Sequence, residues 1–237
     1  MIPFWPKDIS KAKEIQDALR KRVKIIPLKK TPALIAAVDA SFIDDKVIAV
    51  ATLYKYPELR HIQDAFSVKK TQFPYIPGLL SFREGPAVIS ALKKLKMPPD
   101  VILFDGQGIA HPKGIGIASH VGVILNIPTI GCAKSRLIGE FDEPEIKKGS
   151  WAFLYYKGKK VGVVLRTREH VKAIFVSPGH MIDISSSIEI VMRCVSGYRI
   201  PEPLRRADRV SKMHKRQIKS LHTTLLHSET SLTMEMP

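Results

Sequence analysis

The sequence has little that could staple it, span a bilayer with it or hold a soft metal. Cysteine occurs twice in 237 residues, as Cys132 and Cys194, both in apolar surroundings and without the spacing of a disulfide framework or zinc site. Both read as reduced core residues. No stretch approaches the ~18 consecutive apolar residues of a membrane span, and the opening residues lack the apolar core of a signal peptide. The expectation is therefore a cytoplasmic protein. A G-x-x-x-x-G-K-[ST] run, an H-E-x-x-H pair and internal repeats are all missing, which excludes a Walker nucleotide site, the common zinc protease and solenoid architectures. Acidic residues are the remaining scarcity: 22 Asp and Glu stand against 38 Lys and Arg, a formal charge of +16. Such an excess favours a polyanionic partner, because phosphates attract it through counterion release.

What is present reads as one α/β domain over residues 1–220. Ile9, Ala12, Ile15, Leu19 and Val23 recur at helical spacing. "ALIAAVDASF" (33–42), "KVIAVATLYKY" (46–56) and "HIQDAFSVKK" (61–70) then form an antiparallel meander, the first turn made across Asp44-Asp45. A helix is expected from Ser81 or Phe82, with Glu84 and Pro86 in its first turn, where a missing N–H costs nothing. "VILFD" (101–105), a helix within 115–125 and "TIGCA" (129–133) follow in α/β alternation. A hairpin turns at Gly158, "AIFVSPGH" (173–180) adds a strand, and Asp183 caps a helix over 183–196. The segment 199–220 carries eight Lys and Arg and should form a basic helix or arm. Residues 221–237 contain neither and read as a flexible tail. This order gives a mixed sheet flanked by helices; a ribonuclease H-like core is one of several folds that fit it.

Three acids sit where burial makes them costly. Asp39 lies inside an apolar strand, Asp105 ends another, and Glu84 lies on the helix between them. Each has an ordinary explanation taken singly: an arginine partner, a helix cap, a favourable helix dipole. Together, on three elements of a basic chain, they fit a divalent cation at a sheet end and a metal-dependent phosphodiesterase. The loop "DGQGIAHPKGIGIASH" after Asp105 admits a phosphate cradle, a metal site or a plain turn. His111 stands where a dinucleotide fingerprint needs Gly or Ala, which removes that reading. A second loop, "FPYIPGLLSFREGP", holds Tyr75 and Ile76 between Pro74 and Pro77. A stiff apolar tip suits a wedge inserted into a base stack; the competing expectation is a tyrosine folded back onto the core.

"VDASF", "FPYIPGLLSFREGP", "FDGQGIAHPKGIGIASHVGV", "GCAKSRL", "VSPGH" and "RIPEPLRRAD" occur together in this order. The set closely resembles the endonuclease V (deoxyinosine 3′ endonuclease) family, over roughly residues 5–215. The resemblance implies a ribonuclease H-like fold and metal-binding acids at Asp39, Glu84 and Asp105. A fourth active-site position, where relatives carry His or Asp, falls on Asp208. It also implies an active-site lysine at Lys134, His111 near the scissile phosphate, and a wedge of Pro74, Tyr75, Ile76 and Pro77. Gly78, Leu80, Gly106, Gln107 and Gly108 are the candidates for a pocket holding a flipped base. The implied reaction is hydrolysis of the second phosphodiester 3′ of deoxyinosine in DNA by a monomer using Mg²⁺ or Mn²⁺, leaving 3′-OH and 5′-phosphate. One departure is Lys113-Gly114, where many relatives carry two basic residues. Inosine in RNA is the alternative substrate, and a nucleic-acid binder without cleavage is the alternative class.

Overall fold

Asp44, at φ +50°, turns the chain between two long strands, and the meander so begun organises the molecule. The computed structural model describes residues 5–232, with side chains as far as Ser220. Helix α1 (Ile9–Arg20) is followed by strands β1 (Leu34–Ile43), β2 (Lys46–Lys55) and β3 (Arg60–Lys70). Then come α2 (Leu80–Leu92), β4 (Val101–Phe104), α3 (Ile117–Leu125) and β5 (Thr129–Ala133). The hairpin β6 (Trp151–Tyr156) and β7 (Lys159–Leu165), strand β8 (Ile174–His180), α4 (Ile184–Arg193) and α5 (Glu202–Leu232) complete the order. The eight strands form one sheet, β3-β2-β1-β4-β5-β8-β7-β6. β1 is antiparallel to β2 but parallel to β4, and β4 is parallel to β5. These five strands have the arrangement of a ribonuclease H-like core.

Strand alternation explains why both faces are covered. Ile35, Ala37, Val101 and Leu103 point into one buried cluster with Ile190 and Val191 of α4 and Leu204 of α5. Ala36, Val38, Ile102 and Phe104 point into another beneath α2 and α3. Cys132 and Cys194 are buried and unbridged, as their surroundings implied. Among the described residues no helix is long and apolar enough to cross a membrane.

The sequence misplaced the start of α2. Leu79 occupies the N-cap without a side-chain hydrogen bond, so Pro86 falls inside the helix and no acid lies in its first turn. Proline in a helix interior removes a backbone bond and costs about 3 kcal/mol. Burial of Ala87, Val88, Ile89, Ala91 and Leu92 offsets that loss. Glu84 is thus carried beyond the helix terminus, and the dipole does not account for it. The tail expected over 221–237 begins within α5, which runs to Leu232, and its last five residues, 233–237, lie outside the described residues.

Candidate active site

The register of two parallel strands makes the site. Val38 pairs with Phe104, so Asp39 and Asp105 leave the sheet side by side, and the Asp105 N–H donates to the Val38 carbonyl at 3.5 Å. Both share the parity of Ala37 and Leu103, which turns them toward the face crossed by α5. That helix is pinned across the meander. The Thr52 hydroxyl donates to the Pro203 carbonyl at 3.3 Å, Leu204 is buried, and Arg206 grips both oxygens of Asp64 at 2.9 and 2.6 Å. Asp208 is thereby set over β1, and oxygens of Asp39, Asp105 and Asp208 lie within 4.8 Å of one another.

Electrostatics show what this crowding costs. Burial, partly countered by a hydrogen bond from Ser211 and then reinforced by Asp105 and Asp208, pushes the Asp39 carboxyl up to about 6. Glu84, reaching in from α2, is pushed up to about 8 by burial and by the charges of Asp39 and Asp105. The three clustered carboxyl groups need a positive partner, and hard oxygen donors fit a divalent cation; Glu84 stands outside that cluster and is linked to it through the charges of Asp39 and Asp105. Neither Asp39 nor Asp105 follows its simpler alternative: among the described residues Asp39 pairs with no arginine and accepts instead from Ser211, and the N-cap of α3 is Gly116. Lys134, just past β5, donates to Asp105 Oδ2. Burial alone would lower the Lys134 pKa, but that bond and the charges of Asp105, Asp208 and Asp39 hold it above its ordinary value. The ammonium therefore stays charged beside the acids.

A cavity of about 280 Å³ shares Asp105 with this cluster. Its wall includes Tyr75, Ile76, Pro77, Gly78 and Leu80 from one loop and Gly106, Gln107 and His111 from the other. His111 ties the two loops together. Its Nδ1 accepts from the Lys113 N–H at 3.2 Å, which leaves Nε2 protonated to donate to the Gly78 carbonyl, and burial pushes its pKa down to about 4. The same carbonyl accepts from Gln16 of α1 at 2.7 Å. Phe73 is buried, and Arg83 donates to its carbonyl at 3.1 Å. The proline-rich loop is thus anchored on both sides of its tip. Tyr75 at that tip is 71% exposed, so it does not fold back onto the core. Gln107 donates from Nε2 to the Ser135 carbonyl at 3.3 Å, and its buried Oε1 has no partner among the described residues.

Two candidates fall outside this wall. Pro74 is exposed before the tip. Gly108 packs against β8 instead: its N–H donates to Ser177 Oγ, and a Cβ there would stand 2.1 Å from the Pro178 carbonyl oxygen. Its lack of a side chain serves a close backbone approach, which a glycine-rich sequence cannot distinguish from a base-contacting surface. Sequence reasoning missed Ser135, Arg136 and Leu137, which also line the wall, and Ser211, buried on α5. Ser211 follows Asp208 by three residues, the spacing that puts both on one helix face. That was its only available signal.

A mixed sheet of this order, with acids on β1, just past β4 and on the helix that crosses them, defines a nuclease of the ribonuclease H-like class. The family model for endonuclease V matches residues 17–209. The chain is 44% identical over 211 residues to the endonuclease V of Geotalea uraniireducens, covering 89% of this chain and 90% of that one. The solved endonuclease V of Streptomyces avermitilis is 38% identical with a TM-score of 0.87, over 92% of this chain and 98% of that one. That of Ciona intestinalis, in complex with a 24-mer DNA containing an inosine followed by a ribo-adenosine, is 28% identical with a TM-score of 0.77, over 89% of this chain and 98% of that one. The chain belongs to the endonuclease V family, and it is an endonuclease.

Proposed function

We propose that the protein nicks DNA at deoxyinosine, the product of adenine deamination, at the second phosphodiester on the 3′ side, with Mg²⁺ as cofactor and Mn²⁺ able to replace it. The observation that carries this reading is the base-sized cavity and the acid cluster meeting at Asp105. The Ciona relative, solved with inosine-containing DNA, supports it. Asp39, Glu84, Asp105 and Asp208 would hold the cation, which supplies charge to neutralise the phosphate and polarise the attacking water. The water oxygen bonds to phosphorus, the P–O3′ bond breaks, and the leaving O3′ takes a proton, giving 3′-OH and 5′-phosphate. Lys134 keeps its positive charge beside the reacting phosphate. His111 is a positioning residue, since backbone groups engage both ring nitrogens; it fixes the two pocket loops relative to each other.

Base choice follows from hydrogen-bond polarity. N1 of hypoxanthine carries a proton, and the unpartnered Gln107 Oε1 can accept it. N1 of adenine is an acceptor and would face another acceptor, leaving buried groups unpaired at a cost of about 1–3 kcal/mol. End-labelled duplexes with one deoxyinosine, and RNA with one inosine, test the reading with Mg²⁺ and with chelator. A single metal-dependent nick 3′ of the lesion in DNA is expected; no nick near inosine in either polymer would overturn it. Stronger cleavage of the RNA would reassign the substrate.

Tyr75 offers a separate check. Its side chain is exposed, so Tyr75→Ala leaves the fold intact. Stacking on a base is worth about 1–3 kcal/mol, and the variant is expected to lose roughly tenfold in preference for inosine over undamaged duplex. Affinity for undamaged duplex should hardly change. Equal losses on both duplexes would rule out the wedge.

A further inference from the structure

A second cleft lies behind His111. It encloses about 390 Å³, and His111 belongs to its wall as well as to that of the base cavity. Arg20 from the end of α1, Lys113 from the glycine loop, and Lys157 and Lys159 from the β6–β7 hairpin all line it, against one acid, Asp17. None of these four cations forms an ion pair among the described residues. Lys157 lies over the Tyr156 ring at 5.4 Å, which covers that aromatic face. The Arg20 stem passes Gly114, at φ +67°, 3.7 Å from where a Cβ would stand. Helix, loop and hairpin therefore bring unpaired positive charge to one cleft from three distant parts of the chain.

The hairpin geometry adds an independent observation. Its two central residues, Lys157 and Gly158, have φ +50° and +71°. A two-residue turn with both φ positive favours Asn-Gly, because a long L side chain is disfavoured at the first position. Lysine breaks that local rule at the point where its ammonium borders the cleft. A strained residue at such a place points to function rather than to folding.

We propose that this cleft is a second contact for nucleic acid, holding two backbone phosphates of the bound strand whether or not a base has entered the cavity. The inference rests on the proposed function, since His111 lines both cavities and a strand held at the base cavity has this cleft next to it. The contact is electrostatic and independent of sequence. It lies apart from Asp39, Asp105 and Asp208, and its four cations have no role in the proposed reaction.

The test is the salt dependence of binding. Lys157→Asn with Lys159→Gln removes two charges while giving the turn a residue that suits it. Lys29→Gln with Lys30→Gln removes the same charge in a separate pocket, one that Asp100 and Pro128 line. Fluorescence anisotropy on inosine-containing and undamaged duplexes, in chelator, gives log K against log [salt] for each protein. Each lost phosphate contact lowers the slope by about 0.9, so the cleft variant should lose about 1.8 on both duplexes and the control pair nothing. An unchanged slope in the cleft variant, or an equal fall in both pairs, overturns the proposal. Absence of inosine-directed nicking by the unaltered protein would overturn the proposed function instead, and the slopes on undamaged duplex would still decide on the cleft.

Discussion

Asp105→Asn is expected to slow metal-dependent cleavage by on the order of 10³-fold while binding to inosine-containing duplex stays the same or tightens. A bound cation contributes several kcal/mol to stabilising a phosphoryl transition state, and about 4 kcal/mol corresponds to that factor. Asp105 is the residue to replace because it touches everything that matters: the oxygen cluster with Asp39 and Asp208, the Lys134 ammonium and the base cavity. Asparagine keeps its shape and removes one negative charge from a surface that meets phosphates, so affinity does not fall. Single-turnover cleavage with labelled duplex measures the first quantity and anisotropy the second. A residual rate within tenfold of the unaltered protein would remove Asp105 from the metal site.

Glu84→Gln has its largest effect without metal. The carboxyl is pushed up to about 8 in the folded chain from an ordinary 4.5, so between those values the folded state holds a proton that the unfolded state has lost. Stability therefore falls as pH rises through that interval. Asp39, raised from 3.8 to about 6, acts in the same direction at lower pH. His111 and His120, depressed to about 4 and about 3, act oppositely, but only below about 6.5, the pKa of the unfolded imidazole. The window from pH 6.5 to 8 thus isolates Glu84. One proton over that span is worth at most about 2 kcal/mol, and partial solvent access reduces it toward about 1 kcal/mol. Metal-free protein should lose roughly 2–4 °C in Tm across the window, whereas the Glu84→Gln protein should hold constant. Saturating Mg²⁺ should restore the loss in the unaltered chain, because a ligand of the folded state stabilises it. A thermal melt that falls equally in both proteins would place the titrating group elsewhere.

The sheet was legible because its signals are local. Alternation fixed the meander, an all-apolar run marked β4, and Asp183 announced α4 through its side chain, which accepts from the Ser186 N–H. The start of α2 was not legible, since Leu79 caps without a side-chain bond. Asp39, Glu84 and Asp105 stood out as acids among apolar neighbours, and the strand register explains why two of them meet. Asp208 and Ser211 sit in a basic helix whose periodicity says nothing about which strand it crosses. Their position depends on Arg206 finding Asp64 and Thr52 finding Pro203, long-range contacts that no local pattern encodes. Gly108 failed in the opposite way, its surroundings being set by β8 far along the chain.

The docking of α5 has a bearing on synthesis. A chain emerging N-terminus first can pair β1, β2 and β4 and align Asp39 with Asp105 long before Asp208 and Ser211 exist. Until α5 is laid across the meander, the cluster of Asp39, Asp105 and Asp208 oxygens is incomplete. A stalled or truncated product therefore lacks Asp208 and Ser211, and it lacks Leu204 as well, the residue that α5 adds to the buried cluster beneath β1 and β4.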